Sequence, residues 1–248
     1  MKPVFEVTKG MREMTSHYCP GCTHGISHRL VMEVLDERGQ LGDAIGVSPV
    51  GCSITAHQYM NVDMIEASHG RAPATASAIK RVHPNAPVFT YQGDGDLASI
   101  GMGELIHAAG RGEKICTFFV NNAIYGMTGG QMAPTTLLGQ KATTCVDGRT
   151  IEQAGSPMRI CELLETIPGA VYVERVSLHN PAGVRTAKKA IHRAFEVQEK
   201  GLGYAFVEFL STCPTNWGMT PVKALDWLKE NMIPYYPVKQ FKCPEEVK

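Results

Sequence analysis

The run Val88-Phe89-Thr90-Tyr91-Gln92-Gly93-Asp94-Gly95-Asp96 is answered by Ile115-Cys116-Thr117-Phe118-Phe119-Val120-Asn121-Asn122-Ala123-Ile124-Tyr125-Gly126. This pair decides how the chain folds. Each half is a short apolar run rich in strand formers that ends in a turn of Gly, Asp or Asn, so each predicts a buried strand. A helical period over Met102–Arg111 separates them, and Gly93 to Asn122 is 30 residues, about one strand–helix–strand crossover. Asp94 and Asn122 are therefore expected at the carboxyl ends of parallel strands, where open α/β sheets take their ligands. A carboxylate, an amide oxygen and a nearby backbone carbonyl make a hard, oxygen-only half-shell. Mg2+ suits it, with phosphate oxygens and water completing the octahedron. Gly93 and Gly95 let the backbone approach phosphate closely, and the helix N-terminus that follows favours negative charge.

The same alternation extends outward. Helical periods with capping signals lie at His24–Arg38, Ala72–Val82, Met102–Arg111, Pro157–Thr166, Pro181–Lys200 and Thr220–Asn231. Apolar runs suited to buried strands lie at Ala44–Val47, Val88–Tyr91, Ile115–Val120, Val171–Val176 and Ala205–Phe209. Strands alternating with helices predict an α/β fold, a mostly parallel sheet with helices on both faces. Asn121–Ser156 is rich in Gly, Thr and Pro without a period, and a long loop inside a compact unit is usually functional. No linker divides the chain, so residues 1–232 are expected as one domain and 233–248, with Pro234, Pro237 and Pro244, as an extended C-terminal arm.

Composition removes several function classes. With 24 Lys+Arg against 24 Asp+Glu the formal charge is zero, so nothing drives binding to nucleic acid or a membrane surface. No stretch approaches the ~18 consecutive apolar residues of a membrane span. Met1–Gly10 lacks the apolar centre of a signal peptide, so a soluble cytoplasmic protein is expected. Charged residues make up 19% against a usual ~25%, which points to surface covered by partner chains.

The 8 cysteines without a secretory signal indicate metal or redox use rather than disulfides. Cys19-Pro20-Gly21-Cys22 brings two thiols into one turn, which supports zinc, an iron–sulfur cluster or a redox dithiol. Cys52 and Cys213 stand singly in turn-like settings, whereas Cys116 falls in an apolar run and Cys161 in a helix, as small hydrophobes do. His24 and His28 share a helix face but lack a third ligand, so packing is the expected role. His69 and Arg71 sit at a strand-to-helix junction suited to an anion.

Gly93-Asp94-Gly95 with Asn121-Asn122 resembles the signature of thiamine diphosphate enzymes. With Cys-Pro-Gly-Cys-x-His-Gly, Gly51-Cys52-Ser53, His69-Gly70-Arg71, Tyr125-Gly126-Met127-Thr128-Gly129-Gly130-Gln131 and Pro134-Thr135-Thr136, the chain looks like the beta subunit of 2-oxoacid:ferredoxin oxidoreductases from about Met14 to Pro221. That resemblance implies that Asp94, Asn122 and the Ile124 carbonyl hold Mg2+. It implies that Gly51, Cys52, Ser53, His69, Gly95, Asp96, Gly126 and Met127 contact thiamine diphosphate. It also implies that Cys19, Cys22, Cys52 and Cys213 bind a 4Fe-4S cluster, with Arg71 a candidate for the substrate. The implied activity is oxidative decarboxylation of a 2-oxoacid with coenzyme A to acyl-CoA and CO2, electrons passing through the cluster to ferredoxin. A non-redox thiamine decarboxylase subunit would leave the four cysteines idle, and a zinc-stapled non-catalytic subunit would leave the magnesium motif idle.

In this family the pyrimidine-binding domain resides on an alpha, or fused gamma-alpha, subunit. The isolated chain is therefore expected to be inactive, and no catalytic residue is assigned within it; Glu66 and Glu104 are the local carboxylates. Some archaeal members carry a substrate-reading Lys where this chain has Gly129 or Gly130, which weakens the case for 2-oxoglutarate. Ile124, Met127 and Met132 suit the side chain of a branched 2-oxoacid.

Overall fold

In the computed structural model, which describes residues 6–248, the two quoted runs are neighbouring parallel strands. Part of the Met1–Gly10 segment therefore lies outside the described residues. The chain runs α1 (His24–Glu37), β1 (Ile45–Pro49), α2 (Ala56–Tyr59), β2 (Asp63–Ala67), α3 (Ala72–Val82) and β3 (Val88–Gly93). A wide π-type turn (Asp96–Ile100) leads into α4 (Met102–Gly110) and β4 (Cys116–Asn121). Then follow α5 (Ile151–Ala154), α6 (Ile160–Glu165), β5 (Ala170–Ser177), α7 (Pro181–Glu199), β6 (Tyr204–Leu210), α8 (Pro214–Trp217), α9 (Pro221–Trp227), α10 (Ile233–Tyr235) and β7 (Lys239–Lys242).

The seven strands form one sheet in the order β2-β1-β3-β4-β6-β5-β7, parallel throughout except for β7, which runs antiparallel to β5. Both faces are covered, which is why the central strands read as unbroken apolar runs. Alternate side chains divide between the two faces. Phe89, Tyr91, Phe118 and Val207 pack under α1 and α7, while Val88, Phe119, Val173 and Phe206 pack under α3, α4 and α6.

Two elements depart from expectation. Asp63–Ala67, implied by the junction at His69 but carrying no apolar run, is the edge strand β2, with only Ala67 buried. Residues 233–248, expected as an extended arm, pack back onto the domain. They carry a helical turn, the edge strand β7 and a 3-10 turn, with Tyr236 and Val247 buried. No helix among the described residues is long and apolar enough to cross a membrane.

The chain moves from β1 outward to β2, then crosses back to β3 on the other side of β1. Such a reversal opens a crevice at the strands' carboxyl ends. The loops after β1, β2, β3, β4 and β6 carry Cys52, His69, Asp94, Asn122 and Cys213, respectively.

Candidate functional site

Asp94 leaves β3 with its carboxylate buried, and among the described residues no cation pairs with it. Oδ2 accepts from the Ile124 amide at 3.1 Å and from Thr135 Oγ1 at 3.0 Å, and Oδ1 accepts from the Gly95 amide at 3.0 Å. The Ile124 amide is shared with Asn122 Oδ1 at 3.2 Å, so one N–H draws the two hard oxygens together. Burial pushes the Asp94 carboxyl up to about 7 despite those hydrogen bonds. A buried carboxylate without a counter-charge, beside an amide oxygen and a bare backbone loop, has the donor chemistry of a Mg2+ site.

A cavity of about 290 Å3 opens over this group. Its walls include Gly51, Cys52, His69, Asp94, Gly95, Asp96, Asn122, Ile124, Gly126 and Met127. The fold thus gathers, with the exception of Ser53, the residues expected to contact magnesium and thiamine diphosphate. Asp96 is buried, and it accepts from Gln92 Nε2 at 2.6 Å, from the Gly70 amide, and pairs with His69 Nδ1 at 2.7 Å. Burial raises its pKa. The half-exposed His69 ring is thereby fixed at the cavity wall.

Two expected contacts stand outside. Ser53 is buried and donates to the Pro49 carbonyl at 3.3 Å, so it shapes the Gly51–Cys52 turn from behind. The Arg71 guanidinium pairs with Glu104 away from the cavity. Neighbours in sequence point apart because Arg71 enters α3 while His69 faces Asp96.

A second cavity, of about 210 Å3, is lined by Cys19, Cys22, Cys52 and Cys213, and it shares His24, Cys52, Asn122, Gly126 and Met127 with the first. A Cβ added to Gly126 would stand 3.3 Å from Cys52 Sγ and 3.5 Å from Cys213 Sγ, so a larger residue there would press on Cys52 and touch Cys213. Burial pushes the Cys22 and Cys52 thiols up to about 12, the other thiols adding to the shift. Asn216 Nδ2 donates to Cys213 Sγ at 3.2 Å and opposes the rise there. Four thiols on one cavity, of which Cys22, Cys52 and Cys213 resist ionisation, suit a polynuclear iron cage, whose charge offsets thiolate repulsion and which takes one thiolate per iron. Among the described residues no group of three or more Cys, His, Asp or Glu side chains is already closed on a single ion position. Cys116 and Cys161 are buried elsewhere, donating to the Ala194 carbonyl and to Glu208.

Three contributors escaped the sequence. His24 lines both cavities, its Nδ1 paired with Tyr91 Oη at 2.7 Å, and burial lowers its pKa to about 4. The Cys-x-x-Cys-x-His spacing was the available signal. Thr135 braces Asp94 from the long loop. Arg149 holds that loop by donating to the carbonyls of Ala133, Pro134, Thr136, Ala154, Gly155 and Ser156.

Comparison with known proteins adds the following. The family described as thiamine pyrophosphate enzyme, C-terminal TPP binding domain, matches residues 49–209. The ketoisovalerate oxidoreductase subunit VorA of Methanothermobacter thermautotrophicus is 51% identical over 96% of this chain and 50% of its own length. The 2-oxoglutarate synthase subunit KorB of Methanocaldococcus jannaschii is 38% identical over 87% of this chain and 78% of its own. A solved 2-oxoglutarate:ferredoxin oxidoreductase from Magnetococcus marinus, with 2-oxoglutarate, coenzyme A and succinyl-CoA bound, superposes with a TM-score of 0.75 at 27% identity. That match covers 89% of this chain and 71% of the other. The chain spans 50% of the length of the VorA relatives it matches.

Proposed function

Because the chain belongs to the thiamine-pyrophosphate-binding subunits of 2-oxoacid:ferredoxin oxidoreductases, we propose that it carries out oxidative decarboxylation of a 2-oxoacid with coenzyme A, giving acyl-CoA and CO2 and passing electrons to ferredoxin. The observation that carries this is the shared wall. The magnesium-type pocket and the four-cysteine cavity meet at His24, Cys52, Asn122, Gly126 and Met127. A cluster held in the second would adjoin a cofactor bound in the first, near enough to take electrons from it.

Asp94 and Asn122 with the Ile124 carbonyl would hold Mg2+, and Gly95 with the turn at Asp96 would admit the diphosphate. Cys19, Cys22, Cys52 and Cys213 would hold a 4Fe-4S cluster. When bound, thiamine diphosphate supplies the electron sink for decarboxylation, and the cluster accepts electrons singly. The chain's own residues bind and orient. The buried Asp96 fixes the His69 ring, and Ile124, Met127 and Val50 present an apolar wall to the cavity. Val50, Ile100 and Met127 are exposed at the pocket, an apolar rim for the alpha subunit that would bring the pyrimidine-binding half. Among the described residues the lining contains neither Lys nor Arg, and Gly130 is packed against Asn216. The pocket therefore fits a branched-chain 2-oxoacid such as 2-oxoisovalerate better than a dicarboxylate.

The test is the chain co-expressed with its partner subunits. The complex should contain iron and reduce a viologen dye faster with 2-oxoisovalerate and coenzyme A than with 2-oxoglutarate. Iron-free protein that decarboxylates without reducing the dye would overturn the redox reading; a 2-oxoglutarate preference would overturn the substrate class.

A further inference from the structure

Ala123 has φ of 58°, and among the described residues it is the one non-glycine residue in the left-handed region. A side chain there costs roughly a tenfold loss in population or more, and such strain persists only where the surroundings over-determine it. Here both backbone groups are pinned by side chains. The Ala123 N–H donates to Asn121 Oδ1 at 3.1 Å, and its carbonyl accepts from Thr136 Oγ1 at 2.7 Å and Gln140 Nε2 at 3.3 Å.

The Asn121 amide has no freedom to turn over. Its Nδ2 donates to Glu208 Oε1 at 2.8 Å, and the other Glu208 oxygen accepts from Arg175 Nε at 2.8 Å and from Cys161 Sγ at 3.1 Å. Asn121, Glu208 and Arg175 are wholly buried. A carboxylate held by an arginine accepts and cannot donate, so Nδ2 must face it and Oδ1 must face the Ala123 amide. Glu208 sits on β6, one strand over from Asn121 on β4.

We propose that Asn121 is a positioning residue that keeps Ala123 left-handed and thereby aims the Asn122 side chain and the Ile124 carbonyl at the cation. The inference rests on reading this loop as the magnesium site. Ala123 lies between the two groups, so its relaxation to an ordinary backbone region would swing them apart while the sheet stayed intact.

The experiment uses the complex of the chain with its partner subunits, in equilibrium dialysis with radiolabelled thiamine diphosphate at graded Mg2+. Asn121→Ala should raise the Mg2+ concentration for half-retention about tenfold. The double variant Asn121→Ala/Ala123→Gly should restore it to within about twofold, because glycine enters the left-handed region without penalty. Removing a methyl group would not repair a lost packing contact. An unchanged Asn121→Ala, or a double variant as weak as the single, overturns the proposal. Should Asn121→Ala fail to assemble, recovery of assembly in the double variant reads the same coupling, and failure of both overturns it. If the unsubstituted complex retains thiamine diphosphate regardless of Mg2+, the magnesium reading falls first and takes the inference with it.

Discussion

Thr135 donates its hydroxyl to Asp94 Oδ2 across 3.0 Å, although 41 residues separate them in the chain. Tyr236, in the C-terminal segment, holds the same threonine by donating to its carbonyl at 2.6 Å. Arg149 binds the carbonyls on either side. The orientation of one carboxylate is thus set jointly by the loop after β4 and by the segment that leads into β7.

Thr135→Val keeps the shape and removes this hydrogen bond. A bond to a charged group is worth about 1.5–3 kcal/mol, so the Mg2+ needed for half-retention of thiamine diphosphate should rise about tenfold or more. The melting temperature of the metal-free protein should also fall by several degrees, because the bond is present without the metal. Equilibrium dialysis and thermal melts check the two halves, and unchanged Mg2+ dependence would remove Thr135 from the site.

Acidity should govern metal loading. Asp94 binds its proton near pH 7 when folded, against an ordinary value of 3.8. Protonation therefore favours the metal-free fold. Its contribution is full below the ordinary value and is lost as pH rises through about 7. Mg2+ needs the ionised form, so the melting-temperature gain on adding Mg2+ with thiamine diphosphate should grow from about pH 6 to about pH 8. Asp94→Asn should abolish that gain at both values and leave the metal-free protein more stable than the unsubstituted one at the higher pH.

Four of the cysteines should behave differently from the rest. Cys213→Ala should abolish the brown absorbance and the low-temperature EPR signal of the reduced complex, whereas Cys145→Ala should leave both. Gly126→Ala should also lower iron content while preserving the far-UV circular dichroism, because its Cβ would press on Cys52 Sγ beside Cys213 Sγ. Loss of iron in Cys145→Ala with retention in Cys213→Ala would reverse the ligand assignment.

The wholly buried pair Arg175–Glu208, at 2.8 Å, makes a stability prediction. Arg175→Met strands a carboxylate in the core, which costs about 3–5 kcal/mol and lowers the melting temperature by roughly 10 °C. Adding Glu208→Gln should recover much of that loss. A single variant that melts unchanged would mean that solvent reaches Glu208.

Much of this molecule was legible in its amino-acid order. Strands β3 and β4 announce themselves because both their faces are buried, and Gly93-Asp94-Gly95 with Asn121-Asn122 falls at crossover distance. The edge strands do not announce themselves. Asp63–Ala67 and Lys239–Lys242 are half solvated, so they carry no apolar run, and only a neighbouring strand makes them strands. His24 reads as packing because its pairing with His28 lacks a third ligand, and the Cys-x-x-Cys-x-His spacing alone does not show that two cavities meet at its ring. Arg71 reads as a ligand because it adjoins His69, yet the start of α3 turns it toward Glu104.

The order of residues by itself determined the parallel sheet, the end of that sheet where ligands belong, and the chemical kind of each donor, because periodicity, turn residues and side-chain type are local properties. Tertiary structure alone decided which donors face one another. The convergence of Cys19, Cys22, Cys52 and Cys213, the bracing of Asp94 by Thr135 and the diversion of Arg71 all depend on contacts between segments far apart in the chain, and such contacts exist only once burial has brought those segments together.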